Sequence, residues 1–502
     1  MFIRVDPRQR ASLQLQIYES VRTAILEGVL EPGARLPSSR ELADDLGVSR
    51  LTAVLAYDQL AAEGYITSRV GAGTFVNREL PDTGARVPTS ARTAVAQHPQ
   101  LSQRGISLSQ TPRVVRKIAG PPRAFRIGTP ALDRFPVALW NRLVSRHTRR
   151  ITVPQLDYGD AAGLPALREA IAAYVSRARG TSCSADQIIV VAGAQQGLDM
   201  IARLLLDPGD VAWVEDPGYP GAWAALTAAG ARIEPVPIDA QGLVVEHNGQ
   251  RNIARLVYTT PSHQFPLGVP MSLPRRLALL RWACDARAWV IEDDYDSEFR
   301  YGSRPIPCLH GLDADGRVIY VGSFSKTLFP GLRLAYVVVP PDLHGSMVKA
   351  RLASDIHPQT FLQGVVADLI GEGHFERHLR RMNTEYRARL QALEDATQRY
   401  CRGALELRPV TTGLHAVADL LAGDDAIVAH EALERGIETM PLSAYYAKRT
   451  SASANGLVLG FASVPSRVVT ESVKRLAVAI EVATRSGQSV VTAMSARAHA
   501  AG

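Results

Sequence analysis

A chain of 502 residues is long enough for two or more domains, and 46% hydrophobic with 21% charged residues is the balance of globular protein, which excludes a disordered or fibrous chain. The net charge of +7 suits an acidic partner, and no apolar run approaches the roughly 18 residues of a membrane-spanning helix. The start, Met1-Phe2-Ile3-Arg4-Val5-Asp6-Pro7, lacks the apolar run of a secretory signal, and Cys183, Cys284, Cys308 and Cys401 have no metal-ligand spacing. Reduced thiols, no metal, no membrane and a cytoplasmic location are therefore expected.

Residues 10–78 read as short helices followed by a hairpin. Ile17, Val21, Ala24 and Ile25 recur at helical spacing and predict a first helix over 12–28, ended by Glu31-Pro32-Gly33. Ser38 and Ser39 can cap a second helix over 40–46, with Glu41 placed as in a capping box. After the Gly47-Val48 turn, Ser49 caps a third helix over 50–63. Val54, Tyr57 and Ala61 would face inward there, leaving Arg50, Thr52 and Ala53 at the solvent-facing N-terminal end, where a recognition helix meets base edges. Gly64–Arg69 and Thr74–Val76 flank Val70-Gly71-Ala72-Gly73, which reads as strand, glycine turn and strand: a wing.

These residues resemble a known family. Leu36-Pro37-Ser38-Ser39-Arg40-Glu41-Leu42-Ala43, Leu46-Gly47-Val48-Ser49-Arg50, Glu63-Gly64-Tyr65-Ile66 and Gly71-Ala72-Gly73-Thr74-Phe75-Val76 are similar to the winged helix-turn-helix of GntR regulators. The resemblance implies double-stranded operator DNA as partner, with Arg40, Ser49, Arg50, Thr52 and Gly71 as contacts. Leu51 and Val54 stand where some relatives carry polar or basic contacts, which leaves open which bases are read.

Residues 79–122 are rich in Pro, Ser, Thr, Gln and Arg, without a period, and read as an interdomain linker. Much of the positive excess lies there and just beyond: Arg86, Arg92, Arg104, Arg113, Arg116, Lys117 and Arg123 face only Glu79 and Asp82. From 123 to 485, apolar runs of strand length alternate with helical segments. Ile188-Ile189-Val190-Val191, Val211-Ala212-Trp213-Val214, Leu256-Val257-Tyr258, Trp289-Val290-Ile291 and Val318-Ile319-Tyr320-Val321 predict strands buried on both faces, hence a mainly parallel α/β domain. A long charged helix over 375–399 and a smaller C-terminal α+β lobe follow. The Ala/Ser-rich residues 486–502 are expected to be a disordered tail.

Chemistry gathers at the predicted strand ends. Lys326, flanked by Ser323 and Ser325, can form an imine with an aldehyde if its amine is desolvated. Arg333 on the same connection can clamp a phosphate. Gly193-Ala194-Gln195-Gln196 opens a helix after a strand, so the Ala194 and Gln195 amides can nest a phosphate. In Ile291-Glu292-Asp293-Asp294-Tyr295, alternation puts Asp293 and Tyr295 on one face. A carboxylate can hold a pyridine nitrogen protonated and a phenol can bond a ring hydroxyl. Asp294 and Asp296 compete for the carboxylate role. Tyr219 offers a ring for stacking.

In order and spacing these pieces resemble fold-type I aminotransferases, as do Tyr158-Gly159, Gly163-Leu164-Pro165-Ala166-Leu167-Arg168 and Thr260-Pro261-Ser262-His263-Gln264-Phe265-Pro266-Leu267-Gly268. The resemblance implies pyridoxal 5′-phosphate (PLP) on Lys326 as a Schiff base, Asp293 on the ring nitrogen, Tyr295 on the ring oxygen, Tyr219 stacked, and Arg333 with the 194–195 amides on the phosphate. Two departures stand out. Phe265-Pro266-Leu267-Gly268 replaces Asn-Pro-x-Gly, passing the loop's ring-oxygen contact to His263 or Gln264. Val458 occupies the position from which an Arg clamps a substrate carboxylate in relatives.

A GntR winged helix followed by an aminotransferase-like domain identifies the chain as a member of the MocR subfamily. The resemblance implies a regulator, arranged as a head-to-tail homodimer, that senses PLP or a small amino compound and thereby modulates operator binding. A catalytically active aminotransferase tethered to DNA is the alternative.

Overall fold

The computed structural model describes residues 3, 5–9, 11–69, 72–80, 101–110, 120–246, 254–302, 306–450 and 453–500, of which 486–500 by backbone alone. The chain divides into two compact units, Met1–Gln100 and Leu101–Gly502.

In the first unit α1 (Leu13–Leu26), β1 (Arg35–Leu36), α2 (Ser39–Leu46), α3 (Arg50–Ala62), β2 (Ile66–Arg69) and β3 (Gly73–Val76) form three helices and a small antiparallel sheet, ordered β1-β3-β2. Ser38 and Glu41 close a reciprocal capping box on α2, the Glu41 amide donating to Ser38 Oγ at 3.2 Å and the Ser38 amide to Glu41 Oε2 at 2.8 Å. Ile17, Val21, Ile25, Leu42, Leu60 and Ile66 share one core. The inward face of α3 differs from expectation. Ala53, Ala56, Tyr57 and Leu60 are buried, whereas Ala61 is exposed and Val54 half-buried. Apolar residues occur all round this helix, so periodicity alone gives two registers. The small side chains of Ala53 and Ala56 decide between them by letting the backbones approach.

The second unit begins inside the expected linker. α4 (Gln103–Gln110) is helical and packs on the later helix Pro220–Ala229, where Arg104 Nε donates to the Ala228 carbonyl. Thus 101–110 belongs with the large unit, while 81–100 and 111–119 lie outside the described residues. α5 (Val137–Thr148) and α6 (Pro165–Arg179) precede the alternating region. That region contains β4 (Ile188–Val191), α7 (Ala194–Leu205), β5 (Val211–Asp216), α8 (Pro220–Ala229), β6 (Arg232–Asp239), β7 (Gly242–Leu243), β8 (Leu256–Thr259), α9 (Leu273–Asp285), β9 (Trp289–Asp294), α10 (Leu309–Leu312), β10 (Val318–Ser323) and β11 (Ala335–Val338). They build an eight-stranded sheet, β4-β11-β10-β9-β8-β5-β6-β7. The central pairs from β10 to β6 are parallel; β11 and β7 pair antiparallel toward the edges. Apolar clusters cover both faces, as continuous apolar strands require.

α11 (Pro341–Leu352), α12 (Phe361–Gly371) and the long α13 (His374–Tyr400) lead into the smaller lobe. There β12 (Leu405–Leu407), β13 (His415–Leu420), α14 (Asp425–Glu434), β14 (Met440–Pro441), β15 (Gly456–Gly460) and α15 (Ser466–Ala500) set an antiparallel sheet, β12-β13-β15-β14, against helices. The backbone of α15 stays helical through 486–500, where composition predicts disorder; alanine is the strongest helix former and no Gly or Pro interrupts after Gly487. Among the described residues no helix is long and apolar enough to cross a membrane.

Candidate cofactor site and DNA-reading surface

The candidate groups of the large unit meet at the carboxyl ends of the parallel strands, the usual ligand edge of such sheets. Lys326 lies just beyond β10, and its Nζ donates to the Gly128 carbonyl at 2.8 Å. A Cβ at Gly128 would stand 2.7 Å from Nζ and the residue has φ 70°, so glycine suits this approach. Burial pushes the Lys326 amine below the ordinary lysine value, against the opposing pull of Asp296 and Asp293. That enriches the neutral, nucleophilic amine.

Asp293 stands next door on β9, opposite Val321 of β10. It is only 4% exposed. Its Oδ2 accepts the Tyr258 hydroxyl at 2.8 Å, while Oδ1 has no partner among the described residues. Burial pushes its pKa up to about 7, with the Tyr258 hydrogen bond opposing. A buried acceptor without a donor costs about 1–3 kcal/mol. The protonated nitrogen of a pyridine ring supplies the missing donor, so this carboxylate fits the cofactor that the motifs imply. The rival Asp294 points elsewhere: Arg179 Nε is 2.9 Å and the Tyr320 hydroxyl 2.8 Å from its Oδ2.

β9 ends at Asp294, so Tyr295 lies past the strand, yet its phenol feels the Asp293 charge. His263 Nδ1 is 2.9 Å from Asp296 Oδ1 and 3.0 Å from the Tyr295 hydroxyl. Asp296 Oδ2 in turn accepts the Leu414 amide at 3.0 Å. Carboxylate oxygens are acceptors, so a hydrogen carried on Nδ1 would be shared between Asp296 and Tyr295. The Tyr295 hydrogen is then free to point at a ring oxygen. Gln264, the other sequence candidate for that contact, is used up. Its Nε2 donates to the carbonyls of Pro217 and Phe265, and its Oε1 accepts from the Leu267 amide.

The phosphate candidates also converge. Within α7 the first internal bonds start at Gln196 and Gly197, both donating to Gly193, which leaves the Ala194 and Gln195 amides without a helical acceptor. Gly193 has φ 143°, and a Cβ there would lie 2.8 Å from Arg333 Nη2, so the guanidinium rests on the helix start. Arg333 itself is left-handed at φ 52°. A non-glycine residue pays about 1–2 kcal/mol for that conformation, strain of the kind stored at functional sites. Ser323 Oγ accepts the Ser325 amide at 3.1 Å, which shapes the turn before Lys326. Tyr219 packs against Phe265 (5.8 Å, edge-on) and Tyr258 (6.3 Å, stacked).

Donor atoms of His263, Asp296 and His415 fall within 4.8 Å of one another, as metal ligands would. His263 Nδ1 is held by Asp296, however, and His415 Nε2 by the Pro266 carbonyl at 2.9 Å.

In the first unit Arg40 and Arg50 are exposed. Ser49 Oγ accepts the Thr52 amide at 3.1 Å and lies 2.8 Å from Thr52 Oγ1, so those two side chains serve the helix cap. Gly71 lies outside the described residues.

Comparison with known proteins agrees with this division. The family of bacterial regulatory proteins of the gntR type matches residues 13–76, and the aminotransferase class I and II family matches 144–476. The chain is 40% identical to the probable rhizopine catabolism regulatory protein MocR of Rhizobium meliloti, over 92% of each chain. The chain belongs to the MocR subfamily of GntR regulators. It is also 32% identical to the pyridoxine biosynthesis transcriptional regulator PdxR of Corynebacterium glutamicum, over 92% of this chain and 94% of that one. Among solved structures it is similar to the α-aminoadipate aminotransferase LysN of Thermus thermophilus, complexed with N-(5′-phosphopyridoxyl)-L-leucine (TM-score 0.69, 28% identity, 75% of this chain and 97% of that one). This MocR-type chain is thus a transcriptional regulator with an aminotransferase-like domain, not an aminotransferase alone.

Three site residues of the MocR-type domain escape sequence reasoning: Gly128, Tyr258 and His415. Tyr258 closes an apolar run already read as a strand, and a phenol at the carboxyl end of a parallel strand is a usable signal. Gly128 contributes only a carbonyl, for which sequence has no mark.

Proposed function

We propose that Lys326 holds PLP covalently and that the loaded domain is a sensor whose state modulates operator binding by the winged helix. The observation that carries this reading is the buried Oδ1 of Asp293, without a partner among the described residues, beside the desolvated Lys326 amine. In this reading Tyr219 packs on the ring, Tyr295 donates to the ring oxygen under the hold of His263 and Asp296, and Arg333 with the Ala194 and Gln195 amides binds the phosphate. When bound, the cofactor supplies an aldehyde for reversible linkage to amines and a ring that withdraws electrons. The regulator acts in the cytoplasm, where its DNA is. It works as a homodimer, a second copy covering Val153, Leu156 and Tyr158, which one copy leaves 81%, 74% and 75% exposed.

The effector in this reading is PLP itself or an amine without an α-carboxylate. Val458 on β15 is buried with Val417 and Leu442, against Ile127, Leu267, Tyr445 and Tyr446. Ile127 adjoins the Gly128 that holds Lys326, and Tyr445 packs 5.1 Å from Phe265, so this apolar wall borders the site. An unpaired carboxylate buried there would cost several kcal/mol. In a spectral screen of the PLP-loaded protein, common α-amino acids at millimolar concentration should leave the visible band unchanged. Added PLP, or amines that lack a carboxylate, should alter duplex affinity. A common α-amino acid that both shifts the band and changes DNA binding would contradict this choice of effector.

A further inference from the structure

We infer that Leu51 and Leu55 read thymine methyl groups in the major groove, so that this regulator's operator specificity is partly apolar. The inference rests on the winged helix binding DNA and adds which base chemistry it recognises. On α3 the polar residues expected to meet bases are engaged with each other: Ser49 and Thr52 share their hydroxyls in the helix cap. The side chains left free on the first two turns are Arg50, Leu51 and Leu55. Leu51 is 65% and Leu55 43% exposed, although the same helix buries Ala53, Ala56 and Leu60 completely. One turn apart, at i and i+4, the two leucines lie on one face. Asp58, the next residue on that face, is exposed and acidic, which confines the apolar strip to the end of the helix that reaches base edges.

Charge complementarity names the occupant. Arg50, next to Leu51 at the start of α3, and Arg40, in the first turn of α2, are both exposed and have no ion-pair partner among the described residues. Unpaired, exposed cations at the starts of α2 and α3, together with an apolar strip, match a groove that carries phosphates on its rims and thymine methyl groups on its floor. A protein partner would instead be expected to meet the leucines without dependence on nucleic acid.

The test uses the full-length protein and a duplex recovered by selection from random sequence. Each thymine of the selected site is replaced in turn by deoxyuridine, which removes only the 5-methyl group. At one or two positions per half-site the replacement should weaken binding about fourfold, the free energy of burying one methyl-sized group expressed as an affinity ratio. Leu51→Ala should abolish the loss at one position and Leu55→Ala at its neighbour. Both side chains are exposed, so each variant should melt as the parent does. Uridine replacement without effect at every thymine would overturn the inference, as would a methyl effect that survives both substitutions. Recovery of no specific duplex at all would instead sink the DNA-binding reading on which the inference stands.

Discussion

Replacing Lys326 by Ala is expected to reduce covalent cofactor attachment from one per chain to none. In the parent protein loaded with PLP, borohydride should fix a single adduct, and peptide mapping should place it at Lys326. The chemistry needs a neutral amine beside the aldehyde carbon, and burial depresses the proton affinity of this amine. Its contact with the Gly128 carbonyl at 2.8 Å holds Nζ at the carboxyl end of the sheet. Fold stability should change by less than about 1–2 kcal/mol, because Lys326 is half-buried and its removal leaves one carbonyl to be satisfied. An adduct found on another lysine, or retained in the Lys326→Ala protein, would refute the site.

The second large effect lies at Asp293. Without cofactor its folded pKa is about 7, raised by burial from an ordinary 3.8. A raised acid means that the folded state holds the proton more tightly than the unfolded chain. The stabilisation is therefore fully present below about pH 4 and is lost as pH rises to about 7. Asp293→Asn removes this titration. Between pH 5 and pH 8 the stability of the variant relative to the cofactor-free parent should rise by about 2–3 kcal/mol, read from denaturant unfolding at the two pH values. Bound PLP should erase most of that gain, since a protonated ring nitrogen pairs the carboxylate in the parent and finds no charge in the variant. The same substitution should weaken cofactor retention. Equal stabilities at both pH values would show that Asp293 is not held in the unpaired state described.

Much of this architecture is legible in the sequence because burial on both faces writes continuous apolar runs. Each of the five runs from 188 to 321 is a strand. The strands that escape notice carry weaker marks. β6 contains Pro235 and Pro237 and buries only Val236, β7 has two residues, and β11 follows directly on the Lys326 motif. At the site, residues announced by charge or by a glycine-rich turn (Lys326, Asp293, Arg333, Gly193) are readable one at a time. What couples them is not: Lys326 meets Gly128 across 198 positions and Asp293 meets Tyr258 across 35. The misread face of α3 has a simpler cause, since a helix with alanines and leucines on every side carries no period to follow.

The central claim is that cofactor chemistry at Lys326 governs DNA affinity. The measurement that tests it most directly is the affinity of full-length protein for its selected duplex, at fixed salt, with and without PLP, in the parent and in Lys326→Ala. The account predicts that PLP changes the parent's affinity and leaves that of Lys326→Ala unchanged. Equal affinity of the parent with and without PLP, or the same response in Lys326→Ala, would contradict it.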